Sequence, residues 1–319
     1  VDIALQAAYR NCEGIVHHEQ SEFLAATAAF GEAIELGEAA GKAYIVGAAY
    51  VLRGWMQVYR GFAEEGLEDL GKGYAVYDAA DDENGRGVSL LYMAHAYGSL
   101  GQHGTARGYY ERLMRRAQAE NNRAGLPYVY HGLAGGYAFE GDYEKARDYF
   151  LLALEINRER EVDYGIAHIT LSLAQAEINL KRPEVAREYA REALDAFTRL
   201  GGEDGIARAL IRLALIELEL QRPAAALAHA DDAVSRLEAR NVPRSLMEAR
   251  RVRNLALAAL GRWREAYEGM VEFVRLQDDV SVRERNEATE RMRVQFDTAQ
   301  TERENAFLQE QNAIKQEAL

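Results

Sequence analysis

The feature that most constrains the fold is a repeat with a period of 40 residues. Small residues recur at this spacing along most of the chain, at Ala26, Gly66, Ala106, Ala146, Ala186, Ala226 and Ala266. Turn-forming residues precede this column in each unit, as glycine at 61, 101 and 141 or as an Arg-Pro pair at 182–183 and 222–223. A fixed period of this length is the signature of stacked supersecondary units. The sequence therefore predicts one repeat array.

A second set of turn signals lies half a period away, at Gly85, Gly125, Gly165 and Gly205. Apolar residues recur at spacings of three and four between the two sets, which is the pattern of an amphipathic helix. The four prolines lie at the turns or near a helix start, where a missing N–H costs little. Each unit is therefore predicted to be a pair of helices.

A second column of small residues occupies the first helices, at Gly54, Ala94, Ala134, Ala174 and Ala214. We expect it to face the small column of the second helices, because small side chains at a crossing let two helices pack closely. Glu177 and Glu217 interrupt the apolar pattern one period apart. They predict a looser contact in those units.

One unit carries a known signature in full, with Ala134, Tyr137, Gly141, Tyr143, Ala146, Phe150 and Ala153. In this it resembles the tetratricopeptide repeat family, although the family's usual period is about 34 residues. The resemblance covers about residues 1–280. It implies an all-α, right-handed solenoid of about seven helix-turn-helix repeats, whose first helices line a concave binding groove.

By this analogy, twelve residues are candidates for the groove: Asn11, His18, Trp55, Tyr59, His95, Tyr128, His131, Phe139, His168, Gln175, Asn179 and Arg208. Aromatic rings interleaved with polar groups suit an extended peptide or protein segment, or a small signal molecule. The histidines would let the groove respond to pH between about 5 and 8 by gaining charge. The alternative is that the rings fill space between stacked helices.

The repeat stops before residues 281–319, which form a separate predicted segment of good helix formers. Two functions are open for this helix. Met292 and Phe296 suit a cap over the last repeat, because arrays need their open apolar end covered. Phe307, Leu308 and Ile314 lie in two similar heptads and suit pairing with a second chain, which would give a homodimer.

The C-terminal segment also resembles the linkers between tetratricopeptide sensor regions and the output domains of bacterial GGDEF diguanylate cyclases and histidine kinases. The resembling residues are Phe273, Leu276, Asp278, Glu284, Val294, Phe296, Asp297, Glu302, Glu304, Asn305, Leu308, Asn312 and Leu319. The resemblance implies a sensor that relays a signal to a domain outside this sequence. It favours the periplasm, because a membrane span often follows such linkers, with the cytoplasm as the alternative. A stand-alone scaffold is the rival function.

Composition and motifs exclude several other classes. A formal net charge of −13 disfavours nucleic acid as a partner. The single Cys12 excludes an internal disulfide, and His17 and His18 are adjacent, which prevents them from sharing a metal ion easily. No enzyme motif is present and no apolar run reaches the length of a membrane span. We therefore expect a non-catalytic chain without a metal or cofactor.

Overall fold

A computed structural model describes residues 2–19, 22–240 and 243–278, together with positions 281, 282, 285, 286 and 289. In this part of the chain all regular structure is helical, which confirms the predicted all-α class. The helices are α1 (Ile3–Glu19), α2 (Phe23–Ala39), α3 (Ala43–Tyr59), α4 (Ala63–Ala79), α5 (Glu83–Ser99), α6 (His103–Ala119), α7 (Leu126–Phe139), α8 (Tyr143–Glu159), α9 (Asp163–Asn179), α10 (Pro183–Leu200), α11 (Glu203–Glu219), α12 (Pro223–Arg240), α13 (Pro243–Ala259) and α14 (263–278).

Contacts between the helices divide the chain into two units. Unit 1, Val1–Leu200, contains α1 to α10, and unit 2, Gly201–Leu319, contains α11 to α14. Successive helices pack against each other as hairpins within each unit. No helix in the described part of the chain has the length and apolar character needed to cross a membrane.

The connections between helices share one backbone geometry. Each described connection contains a residue with a left-handed conformation, for example Gly61 with φ of 91° and Lys181 with φ of 61°. The next N–H then donates to a carbonyl five residues earlier, as Phe62 does to Gln57 at 2.8 Å. This bond satisfies carbonyls that would otherwise have no partner at the helix end. The expected turns at 61, 101 and 141 are confirmed.

The second set of predicted turns is partly wrong. Gly85 lies inside the first turn of α5, and the left-handed residue of that connection is Asp81, with φ of 52°. A Cβ atom on Gly85 would lie 2.1 Å from the ring of Tyr77 on the preceding helix. Glycine is therefore needed here for close packing of α4 and α5. The same correction applies to Gly165 and Gly205, which lie within α9 and α11.

The two columns of small residues meet where paired helices cross. A Cβ atom on Gly66 of α4 would lie 2.5 Å from Val58 Cγ2 and 2.6 Å from the carbonyl oxygen of Gly54 on α3. Ala94, Ala134, Ala174 and Ala214 of the first-helix column are fully buried. The predicted close crossing is therefore confirmed.

The predicted looser contact at Glu177 and Glu217 is wrong. These side chains are deeply buried, with 3% and 2% exposure. Glu177 Oε2 lies 3.7 Å from Arg182 Nη1, and Glu217 Oε2 lies 3.8 Å from Arg222 Nη1. Each acidic residue thus faces the arginine of the Arg-Pro turn that follows it. Burial raises the pKa of the Glu177 carboxyl group.

The last described helix, α14, is covered on one side only. A Cβ atom on its Gly269 would lie 2.1 Å from Asn254 Oδ1 of α13. Trp263 and Tyr267 are 69% and 71% exposed, and Met270 is also exposed. The residues predicted to cap the array or to pair with a second chain, Met292, Phe296, Phe307, Leu308 and Ile314, lie outside the described residues. The predicted boundary at 280 stays a prediction.

Candidate ligand-binding cavity

Helix α7 begins later than its position in the repeat requires. The first helices before and after it begin at Glu83 and Asp163, whereas α7 begins at Leu126 and has 14 residues instead of 17. The residues at 123–125 form a turn, and Pro127 occupies the first helical turn, where proline is well tolerated. The packing of α7 against α5 and α9 is correspondingly less extensive than that of α3 against α5.

A cavity of about 800 Å³ occupies the space that the shortened helix leaves open. We call it the central cavity, and it lies wholly within unit 1. Five of the predicted groove residues line it: Trp55, His95, Tyr128, His131 and His168. They come from α3, α5, α7 and α9. The volume falls in the range of about 300 to 1,000 Å³ that is typical of ligand sites.

Aromatic rings form two sides of the central cavity. On one side, the Trp55 ring centroid lies 4.9 Å from that of Tyr92 and 5.8 Å from that of His95. On the other side, the rings of Tyr164 and His168 lie 4.3 Å apart. Tyr164 is 61% exposed and Tyr128 is 59% exposed, so both rings stand at the rim with area free for a ligand.

Two histidines, His95 and His131, lie between these two sides. Tyr110 Oη lies 3.1 Å from His95 Nδ1, within hydrogen-bond distance, and burial raises the pKa of Tyr110. Burial, with a smaller contribution from the nearby His131, lowers the pKa of His95 to about 4. Burial also lowers the pKa of His131. The expectation that the histidines gain charge between pH 5 and 8 is therefore wrong for His95.

Contacts with Ser172 also hold His131 in place. The Ser172 hydroxyl donates to the carbonyl oxygen of His168 at 3.1 Å. His131 Nε2 lies 3.2 Å from the same Ser172 oxygen, within hydrogen-bond distance. The rings of His95 and His131 are thus each held by a neighbouring hydroxyl group.

Polar groups at the ends of the helices complete the rim. Arg116 Nη1 donates to the carbonyl oxygen of Glu83 at 2.6 Å, and its Nε donates to Glu120 at 2.7 Å. Asn122 and Asn157 also line the cavity. Analysis of the first helices alone missed these residues because they lie on second helices and in the 120–125 connection. The early proline of α7 was the available signal for an altered connection.

Six predicted groove residues within unit 1 lie away from the central cavity: Asn11, His18, Tyr59, Phe139, Gln175 and Asn179. Asn11 is buried, and its amide nitrogen donates to the carbonyl oxygen of Ile45 at 3.2 Å. That contact joins α1 to α3 and gives the side chain a structural role. His18 lies against Tyr59, with ring centroids 5.8 Å apart.

The remaining three lie on the later turns of α7 and α9. Phe139 is 70% exposed and stacks on His103, with ring centroids 3.7 Å apart. Gln175 Nε2 donates to Asn179 Oδ1 at 3.4 Å. Arg208, the twelfth candidate, lies on α11 in unit 2.

The profile of the family described as tetratricopeptide repeat matches residues 85–159 and 165–239. Over these two stretches, which make up slightly less than half of the chain, the sequence is similar to tetratricopeptide repeats. The matched stretches include α6 to α8, α10 and α11 and most of α5, α9 and α12, and thus nearly all of the central cavity. Among the described residues, no group of three His, Cys, Asp or Glu side chains is arranged to hold a metal ion.

Solved structures share this fold at low identity. Aspartyl phosphate phosphatase F from Bacillus subtilis matches with a TM-score of 0.67 and 14% identity, over 86% of this chain and 70% of that one. The STAND protein PH0952 from Pyrococcus horikoshii, which has a tetratricopeptide repeat sensor, matches with a TM-score of 0.66 and 14% identity, over 85% of this chain and 41% of that one. The apo quorum sensor NprR from B. thuringiensis matches with a TM-score of 0.56 and 14% identity, over 87% of this chain and 89% of that one. No curated protein sequence matches the chain.

Proposed function

We propose that the central cavity binds an extended peptide or a segment of a partner protein, as the ligand site of a sensor. The observation that carries the proposal is the convergence of Trp55, His95, Tyr128, His131 and His168 on one open cavity. Exposed rings at the rim provide contact area at low entropic cost, and the amide and guanidinium groups can bond a peptide backbone. Among proteins of this fold, a Rap protein has been solved in complex with competence and sporulation factor.

The proposal is tested with a display library of random ten-residue peptides selected against the whole chain. The peptides that bind should lose affinity about tenfold or more when Tyr128→Ala and Tyr164→Ala are combined, because interface tyrosines often contribute about 1 to 2 kcal/mol each. Both rings are exposed, so their removal should leave the fold intact. Fluorescence polarisation with labelled peptides measures the dissociation constants.

Tyr44→Ala is the matched control, because Tyr44 is 61% exposed on α3 but does not line the cavity. Affinity that falls in the double variant and not in the control supports the site. Selected peptides that bind the double variant as tightly as the wild type would show that the cavity is not the binding site.

We also propose that the C-terminal segment relays binding to an output domain through a homodimer. The resemblance to linkers of diguanylate cyclases and histidine kinases supports this, as does the apolar face of α14, where Trp263 and Tyr267 are exposed. Light scattering should find a dimer for the whole chain and a monomer after truncation at residue 278. A monomer in both cases at micromolar concentration would overturn the dimer, and would favour the stand-alone scaffold.

The periplasm is the proposed compartment, on the same resemblance. An alkaline phosphatase fused directly after residue 319, with any upstream coding sequence retained, should be active in the parent bacterium, because that reporter folds only outside the cytoplasm. An inactive fusion that is expressed at normal level would place the array in the cytoplasm.

A further inference from the structure

A second, smaller cavity lies beside the central cavity. It has a volume of about 240 Å³ and is lined by residues of α5, α6 and α7. We call it the side pocket. His95 and His131 line both cavities and therefore stand between them. The other lining residues include His103, Arg107, Tyr110 and four glycines at 98, 132, 135 and 136.

One residue that lines the side pocket carries an unpaired polar atom. His103 Nε2 is buried and has no hydrogen-bond partner among the described residues. A buried polar atom left in this way costs about 1 to 3 kcal/mol, so the position favours a ligand that supplies the missing bond. The lining arginine is already paired, because Arg107 Nη1 donates to Glu140 at 2.9 Å. An uncharged ligand with one hydrogen-bonding group fits this lining.

Packing accounts for one of the glycines but not for the others. A Cβ atom on Gly132 would lie 2.2 Å from the Tyr110 ring, so glycine is required there. A Cβ atom on Gly98, Gly135 or Gly136 would meet nothing within 4 Å. Glycine inside a helix costs about 1 kcal/mol relative to alanine. The fold itself gives no reason for that cost at these three positions.

The other repeats carry larger side chains at the positions of Gly135 and Gly136. At the position of Gly135, the other first helices from α3 onward carry Trp55, His95, Gln175, Leu215 and Leu255. At the position of Gly136 they carry Met56, Ala96, Ala176, Ile216 and Ala256. Because Gly135 and Gly136 line the side pocket, a larger side chain at either position would narrow it.

We propose that the side pocket binds a flat, uncharged aromatic ring that carries one hydrogen-bonding group, of the size of phenol or indole. Engineered cavities of about 150 Å³ bind benzene, so the observed volume suits a somewhat larger ring. The glycines admit the ring between α5 and α7, and His103 Nε2 bonds its polar group. The ring comes either from a free small molecule or from a Tyr or Trp side chain of a bound peptide. With a free small molecule the inference is independent of the proposed peptide site, and with a peptide side chain it rests on that site.

The test uses indole and phenol with the whole chain, followed by NMR of histidine side chains labelled with ¹⁵N. Either probe should shift the His103 Nε2 resonance in a saturable way. Gly135→Leu should weaken binding by roughly tenfold or more, because it fills the pocket while it also raises helix propensity. The control is Gly71→Leu on α4, another open helical glycine, which lies outside the pocket.

The arms of the experiment separate the two sources of the ring. Saturable binding of free indole or phenol that Gly135→Leu abolishes supports a free ligand. If neither free probe binds, a Trp-containing peptide that shifts His103 in the wild type, but not in Gly135→Leu, supports a side chain as the source. The proposal is overturned if none of the probes shifts His103, or if Gly135→Leu and wild type respond equally. Because indole and phenol are offered alone, failure of the peptide site leaves this result intact.

Discussion

Acidification should destabilise the protein through His95, whose folded environment favours the neutral ring. Its pKa is about 4 in the folded protein, below the ordinary histidine value near 6.5 in the unfolded chain. The unfolded state therefore binds more protons between these values. Stability is fully present above about pH 6.5 and falls as the pH drops toward 4. Tyr110, Tyr92 and His131 are the titratable groups nearest this ring.

The magnitude follows from the two pKa values. Between pH 8 and pH 5 the unfolded ring becomes almost fully protonated while the folded ring stays neutral, and linkage gives a loss of about 2 kcal/mol from this residue. His95→Gln provides the comparison, because glutamine can accept a hydrogen bond from Tyr110 and does not titrate. Background effects of the carboxyl groups are shared by both proteins and cancel in the difference.

The assay is urea unfolding followed by circular dichroism at 222 nm, at pH 8 and at pH 5. The free energy of unfolding of the wild type should fall by about 2 kcal/mol more than that of His95→Gln. Equal losses in the two proteins would refute the reasoning, since they would show that His95 titrates normally in the folded state.

Two further predictions concern the helix crossings, both measured by thermal unfolding. Gly66→Ala should lower the free energy of unfolding by about 1 to 3 kcal/mol, because its Cβ atom would collide with the backbone of α3. Gly71→Ala should raise the free energy of unfolding by up to about 1 kcal/mol, because the space around Gly71 is open. A lower stability in both variants would contradict the packing argument. Asp69→Asn should lower the free energy of unfolding by about 3 kcal/mol, because Arg53 donates to both oxygens of the buried Asp69 carboxylate, at 2.6 and 2.7 Å. Glu68→Gln removes an ion pair with Lys72 on the surface and should lower it by less than about 1 kcal/mol. Similar losses in the two variants would show that burial of the ion pair is unimportant.

The sequence predicted the helical pairs well because their determinants are local and repeated. A turn at Gly101 and a small residue at Ala106 recur at one spacing, and each reports a contact between adjacent helices. Glu177 was misjudged because its partner, Arg182, lies in the following turn, and the pair is visible only when both positions are considered together.

The central cavity was less predictable because it results from a departure from the repeat. The repeat register selected Trp55 and His168, which line the cavity, but it gave equal weight to Asn11, which is buried against α3. The late start of α7 decides where the cavity opens, and the only local sign of it was Pro127. The side pocket depends on side chains that are missing at Gly135 and Gly136, which a search for functional groups does not find.

The shortened α7 also determines how unit 1 should respond to mechanical tension. Stability in a repeat array is close to a sum of nearest-neighbour terms, so extension should start at the weakest joint. In unit 1 that joint lies between α6 and α7, which make the least extensive contact of any two successive helices there. A molecule seated across the gap from α5 to α9 would act as a clamp. The force at which the unit extends in an optical trap should therefore rise as a ligand fills the central cavity.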